Sequence, residues 1–322
     1  LREAILAALD HAAFIELFSA RDAELRRLLE VARAAAPDPW QDRFHNAASW
    51  EDEAALRALV RDAGAAKPPV YQLVILGLLL SNLGADDATV QILQDVQMRD
   101  PSDFWVNLEL GNVYKRLNKL PEAVQYYRAA VAIRPTHNVA WATLGATLSK
   151  DDQHAEAIAP LRKAIELDPT YPSSWQLLII ALAECERWDE AHEVSRAARA
   201  AVPDHQAIAD SSHWIHLRRA RLAAARGEWE VAAANYASAM GKKYERDGEV
   251  WFESAATSLL AGDARRSQEA SAAMVARWEE LGLRRFLVAR VVTLSVVPAE
   301  QLDEAARVGR GEIDNYPTSS WA

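Results

Sequence analysis

Cysteine is nearly absent from this chain, since Cys185 is the only one among 322 residues. A lone cysteine excludes an internal disulfide and predicts a reducing, cytoplasmic location. Glycine and proline are scarce as well: 12 and 13 residues compare with about 12% of the residues in an average protein, and this shortage favours helices. The longest apolar run, Leu73 to Leu80, is far below the ~20 residues that span a bilayer. The chain begins at Leu1 rather than Met, so we expect a further segment before it.

Basic residues are also fewer than acidic residues. The chain has 36 lysines and arginines against 46 acidic residues, which gives a net charge of −10. A negative field opposes nucleic acids and anionic membrane surfaces, so we expect neither a nucleic-acid partner nor direct membrane contact. Because 50% of the residues are hydrophobic and 25% are charged, the composition predicts a folded, soluble protein.

A regular spacing organises the middle of the chain. Pro135, Pro169 and Pro203 lie 34 residues apart. The same step relates three alanines, three leucines and three glycines: Ala123, Ala157 and Ala191; Leu110, Leu144 and Leu178; Gly77, Gly111 and Gly145. A 34-residue period with a Trp-Leu-Gly…Tyr…Ala…Pro pattern is typical of the tetratricopeptide repeat (TPR), a pair of helices that stacks on its neighbours.

This pattern predicts an all-α fold, a right-handed α-solenoid of TPR helix-turn-helix repeats with an irregular helical N-terminal segment. We assign residues 1–69 to that segment and residues 70–203 to four TPR units. The units cover residues 70–101, 104–135, 138–169 and 172–203. The first is degenerate, with Thr89 in place of the alanine, and the last carries Ile179 in place of the glycine.

Weaker copies of the repeat follow. We predict divergent TPR-like helix pairs over residues 204–316, with about seven extra residues around Asp204 to Ser212, and one irregular pair over Arg285 to Gly311. Residues 317–322 predict the start of a truncated further repeat, because the stretch before Trp321 copies the one before Trp175.

The N-terminal segment has helical signals of its own. Leucines recur at helical steps from Leu1 to Arg33, and the stretch from Ala36 to Trp40 breaks the pattern. Ser49 with Asp52 three residues later predicts an N-cap at Ser49. A helix is then expected to about Gly64.

Several stretches resemble the region that follows the kinase domain in large planctomycete-type bacterial serine/threonine protein kinases. They are LRRLLEVARAAAPDPWQDRFHN, SDFWVNLELGNVY, PEAVQYYRAAVAIRP and FLVARVVTLS. The resemblance implies a helical region that binds partners or substrates, or the kinase domain of its own parent protein. The chain itself has no Gly-rich phosphate loop, His-Arg-Asp loop or Asp-Phe-Gly triplet, so we do not expect it to be an enzyme.

Other reactive residues favour structural roles. His213 and His216, with Asp210 nearby, lack the pattern of a zinc site. Cys185 has no paired base, and the arginines at 218, 219 and 221 favour a salt-bridged face. We therefore predict no catalytic residue, no metal and no cofactor.

On each first helix, the face opposite the residues that pack against the neighbouring helices predicts a groove for a protein or peptide segment. Its residues are Tyr71, Val74, Leu78, Trp105, Leu108, Asn112, Lys115, Val139, Ala142, Ala146, Ser149, Ser173, Gln176 and Ile180. Asn112 and Lys115 resemble part of a clamp for a terminal carboxylate, but Ala142, Thr143 and Ala146 offer it no partners.

Three functions stay open at this point. The first is a non-catalytic TPR scaffold that binds a peptide or protein partner, as the interaction region of a larger bacterial signalling protein. The second is a regulatory region that acts mainly on its own serine/threonine kinase domain. The third is a structural spacer or self-association module.

Overall fold

The computed structural model describes residues 2–19, 22–35, 38–240 and 247–277, and in these ranges the chain is all-α, as the sequence predicts. The helices fall into two compact units, of which the first ends at Leu167 and the second begins at Asp168. None of the helices in the described ranges is long and apolar enough to cross a bilayer.

The first unit contains eleven helices within its described residues. They are α1 (Arg2–Phe18), α2 (Asp22–Ala35), α3 (Pro39–Phe44), α4 (Ala47–Trp50), α5 (Glu53–Ala66), α6 (Val70–Asn82), α7 (Asp86–Arg99), α8 (Phe104–Arg116), α9 (Leu120–Ile133), α10 (Asn138–Lys150) and α11 (His154–Leu167). The pairs α6/α7, α8/α9 and α10/α11 are αα-hairpins with short turns, and each pair packs along its length.

The described part of the second unit contains α12 (Pro172–Glu184), α13 (Trp188–Ala201), α14 (Gln206–Ala209), α15 (Ser211–Ala225), α16 (Trp229–Ala239), α17 (Gly248–Leu260) and α18 (Ala264–Arg277). The extra residues expected after Asp204 form the short helix α14. The irregular pair predicted over residues 285–311 and the truncated repeat at 317–322 lie outside the described residues.

Glycines on first helices allow the helices of a pair to approach closely. A Cβ added to Gly111 would lie 2.6 Å from Cε1 of Tyr127 on α9, and one added to Gly145 would lie 2.5 Å from Cγ of Leu161 on α11. Both distances are shorter than any ordinary van der Waals contact, so a larger residue would force the helices apart.

The structure accommodates the two departures from the repeat pattern, Ile179 in place of glycine and Thr89 in place of alanine, in different ways. Ile179 on α12 holds the glycine position, and Ser195 on α13 holds the position of Tyr127 and Leu161. Both residues are buried, so the large and small members of the pair have changed places. Thr89 is buried in α7, where its hydroxyl donates to the carbonyl of Ala85 at 3.0 Å.

Side-chain N–H groups fasten three first helices to the connections that precede them. Asn107 Nδ2 donates to the carbonyl oxygen of Pro101 at 3.0 Å. The indole N–H groups of Trp141 and Trp175 donate to the carbonyls of the prolines six residues before them, each at 2.8 Å. The 34-residue spacing of proline and tryptophan therefore repeats one hydrogen bond.

The irregular N-terminal segment is held by buried polar groups. His45 Nε2 lies 2.8 Å from Oδ1 of Asp10, and both side chains are fully buried. Gln72 Nε2 donates to the other carboxylate oxygen of Asp10 at 2.9 Å and exchanges hydrogen bonds with the amide of Gln41. This network joins α1 to α3 and α6 through residues far apart in the sequence.

The predicted N-cap at Ser49 is wrong. The chain forms an additional short helix, α4, whose N-cap is Asn46, so that Ser49 lies inside it and is buried. Asp52 caps α5 instead, because its carboxylate accepts hydrogen bonds from the N–H groups of Ala54 and Ala55.

The turns inside the hairpins place one residue in the left-handed region at the repeat spacing. Gly84, Asn118, Asp152 and Glu186 have φ values of 75°, 57°, 56° and 57°. Glycine adopts this conformation without the steric cost that a Cβ brings. In the two later hairpins that the structure describes, Gly227 and Gly262 take this position, with φ values of 74° and 79°.

We expect Asp152→Gly to stabilise the first unit by about 0.5–1 kcal/mol, because Asp152 adopts a positive φ and its side chain is fully exposed. Asp151→Gly, at a residue with φ of −92°, is the matched control and should destabilise. Denaturant midpoints measure both changes. Equal effects at the two positions would contradict the assignment of the left-handed residue.

Candidate functional site

The four predicted groove residues on α8 and the four on α10 differ in their exposure to solvent. Trp105 is 50% exposed and Val139 is 44% exposed, at equivalent positions of consecutive repeats. Leu108, Asn112, Lys115, Ala146 and Ser149 are partly exposed. Ala142 is only 5% exposed and therefore offers little surface to a partner. On α6, Tyr71, Val74 and Leu78 are also partly exposed.

The exposed indole of Trp105 is fixed by its neighbours. Its ring centroid lies 5.0 Å from that of Phe104 and 6.1 Å from that of His137. The guanidinium carbon of Arg134 lies 5.3 Å from the Trp105 ring centroid and 4.6 Å from that of Phe104. These ring and cation–π contacts hold half of a large apolar side chain in solvent at a set position.

A polar network that the sequence did not predict lies beside Asn112. Glu109 accepts hydrogen bonds from Asn112 Nδ2, at 3.0 Å, and from the hydroxyl of Ser81 on α6. Arg116 donates to the same hydroxyl at 2.7 Å and to Asp86 at 2.6 Å. The amide of Asn112 is thus partly used within the chain, which weakens its predicted role in binding a terminal carboxylate.

Tyr127 on the second helix α9 also belongs to this network. Its ring is buried against Gly111, and its hydroxyl donates to Asn112 Oδ1 at 2.8 Å. Burial raises the pKa of Tyr127, and the carboxylate of Glu109 raises it further. A protonated hydroxyl is therefore kept as a donor. The buried hydroxyl of a tyrosine needs such a partner, and this need is the signal that would have identified Asn112 as its acceptor.

Two lysines at the carboxyl ends of α8 and α10 are distinct from the arginines around them. Neither Lys115 nor Lys150 forms an ion pair with a residue that the structure describes. Burial lowers the pKa of Lys115, and the charge of Lys150 lowers it further. Ser149, next to Lys150, has a buried hydroxyl with no hydrogen-bond partner among the described residues.

The predicted groove residues of α12 belong to the second unit. Ser173 is exposed, and Gln176 and Ile180 are partly exposed. Gln176 and Ile180 line a cavity of about 130 Å³ together with Ile179, Ala207, Ser211 and Trp214. Half of this lining comes from α14 and α15, which the repeat pattern did not place there because of the insertion.

The remaining sequence candidates have structural contacts. Arg218 donates two hydrogen bonds to Glu184, and Arg221 bonds to Glu253 at 3.0 Å. His216 Nδ1 lies 3.1 Å from Oδ1 of Asn235. Burial raises the pKa of the Cys185 thiol, which disfavours the nucleophilic thiolate. No three His, Cys, Asp or Glu side chains come together as metal ligands in the described ranges.

The surroundings of His192 on α13 disfavour the protonated form of its ring. Its ring centroid lies 4.6 Å from that of His216 on α15. Burial lowers the pKa of His192 below its ordinary value of 6.5. The charges of His216 and of two arginines, Arg196 and Arg219, lower it further, whereas Asp189 acts in the opposite direction.

The unfolded chain therefore binds a proton at His192 more readily than the folded chain does. The contribution of neutral His192 to the free energy of unfolding is complete above about pH 6.5 and decreases as the pH falls below that value. We expect His192→Gln to reduce this loss, as measured by denaturant midpoints between pH 7.5 and 5. His11→Gln, at an exposed histidine of α1, is the control. An unchanged pH dependence in His192→Gln would contradict the prediction.

Comparison with known proteins assigns the repeats. Residues 106–137 and 139–171 match the tetratricopeptide repeat family. These segments contain most of the two hairpins α8/α9 and α10/α11, and the chain therefore contains tetratricopeptide repeats in an all-α TPR fold. None of the curated proteins compared with the chain matches it.

The overall similarity between this chain and the solved structures that match it is low. A MamA protein is 18% identical, with 50% of this chain and 89% of that chain covered and a TM-score of 0.46. A MamA RS-1 double mutant is 24% identical, with 52% and 96% covered and a TM-score of 0.45. YrrB, described as a TPR protein with an unusual peptide-binding site, is 14% identical, with 72% and 96% covered and a TM-score of 0.41.

Proposed function

We propose that this chain is a non-catalytic scaffold that binds a peptide or protein segment along the first helices α6, α8 and α10. The observation that carries the proposal is the exposure of Trp105 and Val139 on adjacent first helices of the two matched repeats. Exposed apolar side chains that recur at equivalent positions of consecutive repeats offer a partner apolar surface to cover. Tryptophan and arginine, found together here at Trp105 and Arg134, are the residue types that contribute most to binding energy at interfaces.

Selection from a random library of short displayed peptides tests this function. We expect the chain to enrich peptides, and Trp105→Ala to weaken their binding by about thirtyfold, the effect of a hot-spot tryptophan worth about 2 kcal/mol. Met98→Ala is the matched control, because Met98 is 70% exposed but lies on the second helix α7. If no peptide is enriched, or if Trp105→Ala and Met98→Ala weaken binding equally, the groove is not the binding surface.

We further propose that the parent protein is a cytoplasmic bacterial signalling protein with a serine/threonine kinase domain, and that this domain is one candidate partner of the groove. The support is the resemblance of several stretches to the region behind such kinase domains. The full-length gene sequence tests the proposal, since kinase motifs should precede Leu1. A gene that encodes none there would leave the scaffold function without the kinase context.

A further inference from the structure

We propose that the cavity between α12, α14 and α15 is a second binding site, and that it takes one aliphatic side chain of a neutral peptide segment. All of its residues belong to the second unit, so this inference does not depend on the groove along α6, α8 and α10. The cavity has a volume of about 130 Å³. Its lining consists of Gln176, Ile179, Ile180, Ala207, Ser211 and Trp214.

The cavity forms where the chain departs from the repeat pattern. Ile179 stands in place of the glycine of earlier first helices, and the inserted helix α14 contributes Ala207. Ser211 ties the start of α15 to α14 and α13, because its hydroxyl donates to the carbonyl of Ile208 at 2.6 Å and lies 2.6 Å from the hydroxyl of Ser195. Residues particular to this part of the chain therefore hold the walls of the cavity in place.

Trp214 holds on α15 the position that Trp105 holds on α8. Equivalent residues of first helices lie 34 residues apart as far as Ser173, and the insertion lengthens the next step to 41 residues, which also separate Glu186 and Gly227 in the turns. Trp105 is 50% exposed and Trp214 is partly exposed. The position at which a first helix presents a large apolar side chain to solvent therefore recurs at the cavity.

Two polar groups of the lining are accessible to solvent and have no hydrogen-bond partner among the described residues. They are the side-chain amide of Gln176 and the indole N–H of Trp214. The indole N–H groups of Trp141 and Trp175, by contrast, bond to proline carbonyls. A side-chain amide both donates and accepts, as a peptide group does. Gln176 and Trp214 therefore suit the main chain on either side of an anchoring residue.

The size and the charge of the cavity define the side chain that it takes. An apolar cavity of about 150 Å³ accommodates a benzene ring, so 130 Å³ admits the side chain of valine, leucine or isoleucine but not an indole. None of the six lining residues is charged, and a charged side chain would lose its hydration without gaining a partner. Sites for small molecules have roughly 300–1,000 Å³. One side chain of a longer segment therefore fits better than a free small molecule.

Displayed random peptides test the proposal with the chain that carries Trp105→Ala, in which peptides that depend on the groove of the first unit are depleted. We expect the enriched peptides to share a Val, Leu or Ile at one position. Adding Ala207→Leu fills the cavity and should weaken their binding about thirtyfold, the effect of losing the burial of one aliphatic side chain. Ala209→Leu, at an exposed residue of the same helix outside the lining, is the matched control and should leave binding unchanged.

Changes in the peptide keep the test independent of how well each variant folds. Replacement of the shared residue by Ala should weaken binding about thirtyfold, and replacement by Trp should weaken it as well, because an indole exceeds the cavity. Trp214→Phe keeps an aromatic ring and removes the N–H group, so it should weaken binding about fivefold, the effect of one hydrogen bond. In NMR spectra the indole N–H signal that Trp214→Phe removes should shift when the peptide is added.

The outcomes separate this proposal from the groove function. If the Trp105→Ala chain enriches no peptide while the unmodified chain does, the cavity is not a binding site and the groove function stands. Equal effects of Ala207→Leu and Ala209→Leu, or a shared position that is charged or tryptophan, would also overturn the proposal. Peptides that depend on Ala207 and not on Trp105 would support the cavity even if the groove bound nothing.

Discussion

Gly111→Leu should destabilise the first unit by about 3 kcal/mol, at the upper end of the usual cost of overpacking. The added Cβ alone would lie 2.6 Å from Cε1 of Tyr127. Tyr127 cannot move aside easily, because its ring is fully buried and its hydroxyl is bonded to Asn112. Chemical denaturation followed by circular dichroism measures the loss.

Gly64→Ala is the control for the loss of a helical glycine. No atom lies within 4 Å of a Cβ added at Gly64 in α5, so this change should stabilise by up to about 1 kcal/mol through helix propensity. A loss below about 0.5 kcal/mol for Gly111→Leu, the range of an ordinary surface substitution, would show that α8 and α9 do not pack at this distance.

On α12 and α13 the large residue, Ile179, and the small residue, Ser195, hold the reverse positions. This arrangement suggests how the stability lost by enlarging Gly111 can be regained. Gly111→Ile combined with Tyr127→Ser copies the arrangement of Ile179 and Ser195. We expect the double variant to be more stable than the sum of the two single effects, with a coupling of about 1–3 kcal/mol. Additive effects would contradict the view that one large and one small residue share this space.

Asp10→Ala should destabilise the first unit by about 3 kcal/mol, the scale expected when buried polar groups lose the carboxylate to which they are hydrogen-bonded. The change leaves His45 without its partner on Nε2, and Nδ1 of the same ring already lacks one among the described residues. It also removes the acceptor of one Gln72 hydrogen bond. The loss should appear as faster amide hydrogen exchange in α1 and α2.

Replacing both members of the pair by apolar residues is the informative comparison. Asp10→Leu with His45→Leu buries no unpaired polar group at these two positions and should be less destabilising than Asp10→Ala alone. Asp10→Ala with a cost under about 1 kcal/mol would show that α1 is held by its apolar contacts rather than by this network.

The repeat pattern predicted the features that depend on residues close in the sequence. Prolines, alanines and glycines at a 34-residue spacing predicted the helix pairs, because a hairpin brings together residues only about 16 positions apart. The exchange of Ile179 and Ser195 was visible as a missing glycine, but its compensation on the next helix was not recognised.

Features that join distant segments could not be predicted in this way. Asp10, His45 and Gln72 lie 27 to 62 positions apart, and no periodic pattern relates them. Glu109 was not included in the groove, because one carboxylate on a helix surface has the same sequence signature as a solvated residue.

The hydrogen bonds from Asn107, Trp141 and Trp175 to the preceding proline carbonyls have a mechanical consequence. Each one closes a loop of six residues between two hairpins, so the connection cannot lengthen while the bond holds. Tension applied to the ends of the chain would therefore load these hydrogen bonds before the connections could extend. Release of one repeat of 34 residues corresponds to about 115 Å of extended chain, and an atomic-force trace would resolve the rupture of single repeats as steps of that contour length.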